Sequence, residues 1–171
     1  MSKRRAPPWK SQPEIAESAF ISEQAYIVGD VEIGENSSVW PGTVIRGDHA
    51  KITIGRNTQI EDNCTVHTGF PMNIGDNVHI GHNVVVHCSS IGDTTLIGNH
   101  ATLSEYAEIG ACCVVGAGAL VPPSMKIPDR TFVIGVPAKV KGEVSDERIA
   151  ITKQSVDIYV KMSKEYKRQG L

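Results

Sequence analysis

The stretch from Ile15 to Ser38 reads Ile-Ala-Glu-Ser-Ala-Phe, Ile-Ser-Glu-Gln-Ala-Tyr, Ile-Val-Gly-Asp-Val-Glu and Ile-Gly-Glu-Asn-Ser-Ser. Each unit opens on isoleucine and carries a small or β-branched residue four places later. The aliphatic position recurs as far as Val121, and glycine often follows it. A period of six matches neither an isolated helix nor an alternating strand, and predicts short strands separated by tight corners. We therefore expect a solenoid, in which each coil buries its inward side against its neighbours.

The pattern resembles the hexapeptide-repeat proteins, whose units begin with an aliphatic residue and glycine and carry a small residue four places on. The resemblance covers roughly residues 15–140. It implies an all-β solenoid, a left-handed parallel β-helix in which three units form one triangular coil. The left hand comes from the resemblance alone, because general rules favour right-handed crossovers between parallel strands.

Three interruptions break the count of six. Three residues are inserted between the units that open at Ile45 and Ile54, two are inserted after the unit at Val66, and one is missing before the unit at Ile91. Irregularities of this kind in repeat proteins usually mark loops with a function, and sequence drift is the alternative.

After the repeat, the sequence predicts a C-terminal α-helix. Ser145 is followed by two acidic residues, which is typical of a helix N-cap and first turn. Apolar residues then recur at helical spacing, as on a helix that lies along the prism. We divide the chain into a flexible N-terminal segment (1–14), the β-helix (15–140), and a linker with the C-terminal helix (141–171).

Composition argues against several classes of partner. The 171 residues carry a formal net charge of −2, which gives no electrostatic reason to bind nucleic acid or an anionic membrane. No apolar run approaches the ~20 residues of a membrane span, and no apolar segment follows the basic start as in a secretory signal. Four irregularly spaced cysteines favour reduced thiols in the cytoplasm. Cys64 and Cys113 occupy inward positions and are expected in the core, whereas Cys88 is not assigned as a ligand.

Two histidines share one register. His67 and His87 each follow the opening aliphatic residue of their unit, and the two units lie three repeats apart. They are therefore expected on the same face, one coil apart, where stacked strands are ~4.8 Å from each other. Two imidazoles at that separation can bind one metal ion.

His82 belongs to a different face. It lies two places after Ile80, in the unit before that of His87. A face of six residues is ~20 Å long, so His82 should not reach an ion held by the other two histidines of its own chain. It could reach the ion of a neighbouring chain across a corner, and closed rings of three suit a triangular prism. The register thus predicts a site shared between subunits if a metal is bound; three unrelated surface histidines are the alternative.

Three segments carry a second, more specific resemblance, to the γ-class carbonic anhydrases: Arg46-Gly-Asp48, Glu61 to His67, and His82 to His87. The five-residue steps from Asp62 to His67 and from His82 to His87 both match. This resemblance implies that three histidines bind Zn²⁺, Fe²⁺ or Co²⁺ between subunits of a homotrimer. By this resemblance, His67 and His87 come from one chain and His82 from the next.

The same resemblance implies an activity, the hydration of CO₂ to bicarbonate. A metal held by three protein ligands with one open position provides hydroxide at neutral pH, and carbonic anhydrase is the standard example. The family's arginine and aspartate correspond to Arg46 and Asp62, which resemble an ion pair across the subunit interface. Asp48 resembles a further carboxylate that orients the ligands.

This chain departs from the family at two candidate catalytic positions. The family often has glutamine where this chain has Glu61, and a carboxylate there could either accept a proton or raise the pKa of a bound water. His49 replaces a glutamate of some members, and it could shuttle protons or simply fill the small-residue position of its unit. The loop after His67 contains no acid, although the best-studied catalysts carry a glutamate shuttle in an acidic loop.

The remaining tyrosine and histidines of interest carry weaker signals. Tyr159 resembles a tyrosine that the family places near its metal, although packing of the helix explains it equally well. His79 and His100 have no partner by register, and we interpret both as surface residues.

The residues leave three functions open. The first is a metal-dependent hydratase that acts on CO₂. The second is an acyltransferase, because many hexapeptide proteins move acyl groups from a thioester cofactor; those use a histidine on a protruding loop, and the chain has no long loop. The third is a metal-binding trimeric scaffold without catalysis, since the usual proton shuttle is missing.

Overall fold

The computed structural model describes residues 7–171, so the basic residues at the start of the predicted flexible segment lie outside it. Pro8–Lys10 form one turn of 3₁₀ helix. The nineteen strands are β1 Glu14–Ile15, β2 Phe20–Ile21, β3 Tyr26–Ile33, β4 Ser38–Val39, β5 Val44–Ile54, β6 Gln59–Ile60, β7 Thr65–His67, β8 Met72–Ile74, β9 His79–Ile80, β10 Val85–Val86, β11 Ser90–Ile91, β12 Leu96–Ile97, β13 Thr102–Leu103, β14 Glu108–Ile109, β15 Val114–Val115, β16 Leu120–Val121, β17 Lys126–Ile127, β18 Thr131–Ile134 and β19 Lys139–Glu143. Helix α1 spans Asp146–Gln169.

The strands stack as a parallel solenoid. In the described residues, one sheet has eleven strands and the other has eight. Parallel neighbours are three strands apart in sequence from β6 onward, whereas most of the earlier neighbours are two apart, because β3 and β5 are long strands. Among the described strands, the last pair, β18 with β19, is the one antiparallel pair. The predicted β-helix of hexapeptide repeats with a C-terminal helix is confirmed.

The opening aliphatic residue of each unit forms the core. Ile45, Ile60, Val66 and Ile80 are fully buried or nearly so, and each lies over its equivalent in the next coil. Cys64 and Cys113 fill inward positions as predicted, and Cys88 is also completely buried. Because neighbouring coils repeat the same inward residues, the core is a set of continuous aliphatic columns.

The outward residues give the prism three different faces. The first face, here called the helix face, lies under α1, and its aligned outward residues are Phe20, Ser38, Gln59, His79, Leu96, Val114 and Phe132. The second, the polar face, presents Glu14, Glu32, Thr53, Asn73, Ser90, Glu108 and Lys126. The third, the open face, presents Tyr26, Val44, Thr65, Val85, Thr102 and Leu120. The column on the open face has no charged side chain.

The corners depend on residues that accept a left-handed backbone. Asn57, Asn63, Asn77 and Asn83 all have φ between +53° and +59°. Asparagine tolerates this region better than most residues. The side-chain amide of Asn57 donates to the Oδ1 of Asn77 in the next coil, at 3.1 Å. The corners of neighbouring coils are thus also linked by side-chain hydrogen bonds.

The first interruption is not a loop. β5 runs without a break through the three inserted residues and pairs with the long strand β3 beneath it. The expectation of a loop here was therefore wrong, and the added residues lengthen a strand that continues across a corner. The backbones approach so closely that a Cβ at Gly47 would lie 2.5 Å from the carbonyl oxygen of Asp30. This contact explains the glycine between Arg46 and Asp48.

Helix α1 begins as the sequence predicts. The Oγ of Ser145 accepts a hydrogen bond from the backbone N–H of Arg148. Ile149 and Val156 are buried, which seats the helix on its face of the prism. In the described part of the chain, no helix is both long and apolar enough to span a bilayer.

We predict that Gly47→Ala lowers the free energy of unfolding by about 1–3 kcal/mol, because the added methyl meets backbone atoms that cannot move freely. Chemical denaturation measures the change. Gly69→Ala is the matched control, since a Cβ there meets nothing within 4 Å. Equal stability of the two variants would contradict the close approach of β3 and β5.

Thiol reactivity should report the packing of the core. Burial raises the pKa of Cys64 to about 11 and that of Cys88 to about 12. Cys113 is buried too, whereas Cys112 is half-buried. At pH 8 an aromatic disulfide reagent should therefore modify Cys112 first and the other three only after unfolding, because the thiolate is the reactive form. A fast native-state reaction that persists in Cys112→Ser would refute this.

Candidate metal centre

The histidine column lies at one edge of the open face. Val66 of β7 pairs with Val86 of β10, which places His67 beneath His87 as the register predicts. Their ring centroids are 5.5 Å apart, and the rings are tilted by 38°. Both side chains are partly accessible, at 21% for His67 and 28% for His87. Two imidazoles are therefore available side by side at the surface.

Carboxylates orient these two rings. The Nε2 of His67 lies 3.2 Å from the Oδ1 of Asp48, and the Nδ1 of His87 lies 3.4 Å from the Oε1 of Glu105. Desolvation and the positive charge of Arg46 hold the pKa of His67 below its ordinary value. Its imidazole is thus neutral at pH 7 and keeps a lone pair, as a metal ligand must.

The carboxylate of Asp48 contacts three nitrogen-bearing side chains. Arg46 donates to its Oδ2 at 2.5 Å, and the Nδ1 of His49 lies 3.1 Å from its Oδ1, next to the contact with His67. Desolvation acts to raise the pKa of Asp48, but these partners, Arg46 above all, outweigh it and lower the pKa to about 2. Asp48 is therefore a fixed negative charge beside the histidine column.

His49 does not fill an inward position. Its side chain is 64% exposed, so the interpretation of His49 as a small-residue replacement was wrong. Its ring lies edge-on to that of His67, with centroids 5.5 Å apart. The role of His49 as a proton shuttle stays a prediction, and its exposure and position suit that role.

Aromatic side chains lie next to the histidine column, on the side of His87. Phe70, from the two-residue insertion, stacks on Tyr106 with centroids 4.2 Å apart. Phe70 also lies 6.1 Å from the ring of His87. This insertion does form a loop, and it places an apolar wall beside the histidines.

His82 lies at the opposite edge of the open face, in the corner that precedes β10. Its Nδ1 is 3.1 Å from the Oδ2 of Asp62, which lies in the equivalent corner of the neighbouring coil. Its Nε2 is 2.8 Å from the Oε2 of Glu61. The open face is thus bounded by His67 and His87 along one edge and by His82 along the other.

Glu61 is a buried carboxylate, only 3% exposed. Its Oε1 lies 2.8 Å from the Nε2 of His79, and Tyr159 of α1 donates a hydrogen bond to it. Burial acts to raise the pKa of Glu61, but the hydrogen bonds from His79 and Tyr159 hold it below its ordinary value. The reciprocal effect raises the pKa of Tyr159, through its burial and through Glu61. Tyr159 therefore contacts the Glu61 carboxylate as well as packing the helix, and its role in the site stays a prediction.

Sequence reasoning missed His79. We interpreted it as a surface residue without a partner, and the structure shows a largely buried ring that contacts Glu61, Ser155 and Tyr159. The error arose because its face is covered by α1, which lies far away in the sequence. His100, in contrast, is exposed at a corner as expected.

Arg46 and Asp62 have partners within the chain. Arg46 pairs with Asp48, and Asp62 pairs with His82. Both side chains are about 40% exposed, at 41% and 38%, so both can still reach a neighbouring subunit. The ion pair between Arg46 and Asp62 across an interface stays a prediction.

The donor set fits a divalent transition metal. Among residues 7–171, one group of three or more potential ligands lies within 4.8 Å in a single chain, namely Asp48, His49 and His67. The guanidinium of Arg46 contacts this group and disfavours a cation there. The paired rings of His67 and His87 offer two imidazoles, and imidazole suits zinc, iron and cobalt alike. One chain supplies two such ligands at this edge, and a third must come from elsewhere.

Comparison with known proteins agrees with this architecture. The family model "Bacterial transferase hexapeptide (six repeats)" matches residues 13–47 and 71–105. A crystal structure of a hexapeptide transferase family protein from Anaplasma phagocytophilum superposes with a TM-score of 0.87, at 35% identity over 90% of this chain and 92% of that one.

Two curated relatives have names that point to one family. The "Probable carbonic anhydrase" of Methanocaldococcus jannaschii is 45% identical over 87% of this chain and 95% of its own length. "Gamma carbonic anhydrase 2, mitochondrial" of Arabidopsis thaliana is 35% identical over 88% of this chain, which spans just 57% of that relative. On this similarity, and with the predicted repeat in place, the chain belongs to the γ-class carbonic anhydrase family of hexapeptide-repeat proteins.

Proposed function

We propose that this protein hydrates CO₂ to bicarbonate at a metal centre shared between the subunits of a homotrimer. His67 and His87 of one chain and His82 of the next would hold the ion. The observation that carries the proposal is the placement of these histidines along the two opposite edges of one uncovered face. Zinc, iron or cobalt would fit, and the cytoplasm, with its reduced thiols, is the compartment that suits the four free cysteines.

The open face supports the trimer. Of the three faces, one is covered by α1 and one is polar, whereas the open face presents a column of uncharged residues. Tyr26 is 60% exposed there and Val85 is 41% exposed. Burying such a face against a second copy is favourable, and a ring of three copies brings one edge of each face to the opposite edge of the next.

The surrounding residues would prepare the site for CO₂. A bound metal with an open position would supply hydroxide near neutral pH. Asp48, Glu105 and Asp62 orient the histidine rings, which strengthens ligand binding. Arg46 places a positive charge next to the column, where it can attract the bicarbonate product. His49 is exposed within reach of solvent and can carry protons away.

Two other functions would be revealed by the same experiments. The names of the matching family model and of one similar protein contain the word transferase, which keeps acyl transfer open as an alternative. A bound metal without turnover would indicate a scaffold. In an acyltransferase, acyl transfer would survive the removal of a single histidine of the metal centre. In a scaffold, that removal would abolish metal binding, and the wild-type protein would show no hydration of CO₂.

Protein purified without chelators should contain about one metal ion per chain, or three per trimer. Stopped-flow measurement should show CO₂ hydration that His87→Ala reduces to the uncatalysed rate, because one of three ligands is lost. His100→Asn is the control, since His100 lies at an exposed corner with a left-handed backbone that asparagine tolerates. Protein that takes up no Zn²⁺, Fe²⁺ or Co²⁺ would overturn the proposal, and acetyl transfer that survives His87→Ala would favour the acyltransferase.

Mixing two inactive variants tests whether the site is shared. When His67→Ala and His82→Ala chains are unfolded, mixed in equal amounts and refolded, random trimers should recover about a quarter of the wild-type sites, because each mixed ring has one intact interface of three. Metal content and hydration rate should rise together to that level.

A second mixture provides the control. His67→Ala and His87→Ala remove ligands that the proposal assigns to the same chain, so no arrangement of the mixture restores a complete site. Recovery in this control, or none in the first mixture once native mass spectrometry has shown mixed trimers, would contradict the assignment of the three histidines.

A further inference from the structure

His79 joins α1 to the metal centre. Its ring lies on the helix face between Gln59 and Leu96, and its side chain is only 12% exposed. The Nε2 lies 2.8 Å from the Oε1 of Glu61, and the Nδ1 lies 3.1 Å from the Oγ of Ser155. With a partner on each nitrogen, the ring has one settled orientation.

Two residues of α1 converge on this pair. Ser155 and Tyr159 are four positions apart, so they lie one above the other on the same side of the helix. Ser155 contacts His79 and Tyr159 donates to Glu61, while the rings of His79 and Tyr159 meet edge to face at 5.2 Å. Through these contacts, the helix holds both His79 and Glu61 in place.

Glu61 passes this constraint to His82. One carboxylate oxygen is taken by His79, and the other lies 2.8 Å from the Nε2 of His82. A buried carboxylate needs donors, because an unpaired charge away from water is costly. If His79 were absent, Glu61 would keep fewer donors and would turn toward solvent.

We propose that His79 is a positioning residue for the metal centre, and that it acts by holding the carboxylate of Glu61 against the imidazole of His82. The inference rests on the proposed function of His82 as a metal ligand. If the ion takes the Nδ1, Glu61 orients the ring through the Nε2. If the ion takes the Nε2, Asp62 orients the ring, and Glu61 places a negative charge beside the cation. In both cases the loss of His79 weakens the attraction for the ion.

The test compares three variants by Co²⁺ titration and by the visible absorption of the Co²⁺-loaded protein. His79→Leu should weaken Co²⁺ binding by about 10–100-fold, the usual effect of losing an orienting partner, and should alter the spectrum. His79→Gln can still donate from its amide to Glu61, and should restore binding to within a few fold of wild type. Leu96→Ala, on the next coil of the same column, is the control for damage to the packing under α1.

The outcomes separate positioning from simple stability. The proposal is supported if His79→Leu loses affinity while Leu96→Ala, with a similar loss of melting temperature, does not. It is overturned if folded His79→Leu binds Co²⁺ with wild-type affinity and spectrum, or if both variants lose affinity in proportion to stability. Failure of His79→Gln to rescue, with a melting temperature equal to that of wild type, also counts against it.

A measurement without metal keeps this inference distinct from the proposed function. If the wild-type protein binds no Co²⁺, the proposed function fails, and the NMR signals of the His82 ring in metal-free protein then decide the role of His79. One sharp set of His82 signals in wild type and His79→Gln, but shifted or broadened signals in His79→Leu, supports positioning. Identical His82 signals in all three proteins refute it.

Discussion

The structure depends on one constraint, the register in which each coil hydrogen-bonds to the next. The backbone N–H of His87 donates to the carbonyl of Leu103, and that of Gly81 donates to Ile97, so each strand is held by the one above it. An inward residue must then lie over another inward residue. A slip by one position would turn a whole column of isoleucines and valines outward, which is why the register is so strongly determined.

The corners extend this constraint to the histidines. His82 lies in a turn between Gly81 and Asn83, and the φ of +57° at Asn83 is of a kind that few residues accept. A Cβ at Gly81 would lie 2.2 Å from the Oδ1 of Asn99, and the same Oδ1 accepts from the backbone N–H of His82. The turn has little freedom. The side chain of His82 is therefore placed by backbone geometry as well as by its own contacts.

The sequence predicts relations that follow from the register of the repeat, and it misses relations that lie outside the repeat. Counting in sixes is enough to place His67 under His87, because this relation lies within the repeat. It does not show that β5 continues through its insertion, because three inserted residues are compatible with a longer strand as well as with a loop. It also cannot show that His79 is buried, because the cover comes from a helix more than seventy residues later. A polar residue in the middle of the helix face, aligned with Phe20 and Leu96, was the available signal.

The chemistry of position 61 follows from the same geometry. The family often has an amide there, and an amide can be buried with ordinary hydrogen bonds, because it carries no charge. Glu61 carries a charge that must be balanced in a place that is 3% exposed. Tyr159 donates one hydrogen bond to this carboxylate, and the ring of His79 provides a second partner at 2.8 Å. The burial of Glu61 thus depends on His79, because a buried carboxylate without such a partner is costly. The C-terminal helix covers both residues and contacts both of them, so it restricts the position of the Glu61 carboxylate, which lies 2.8 Å from His82 at the edge of the open face.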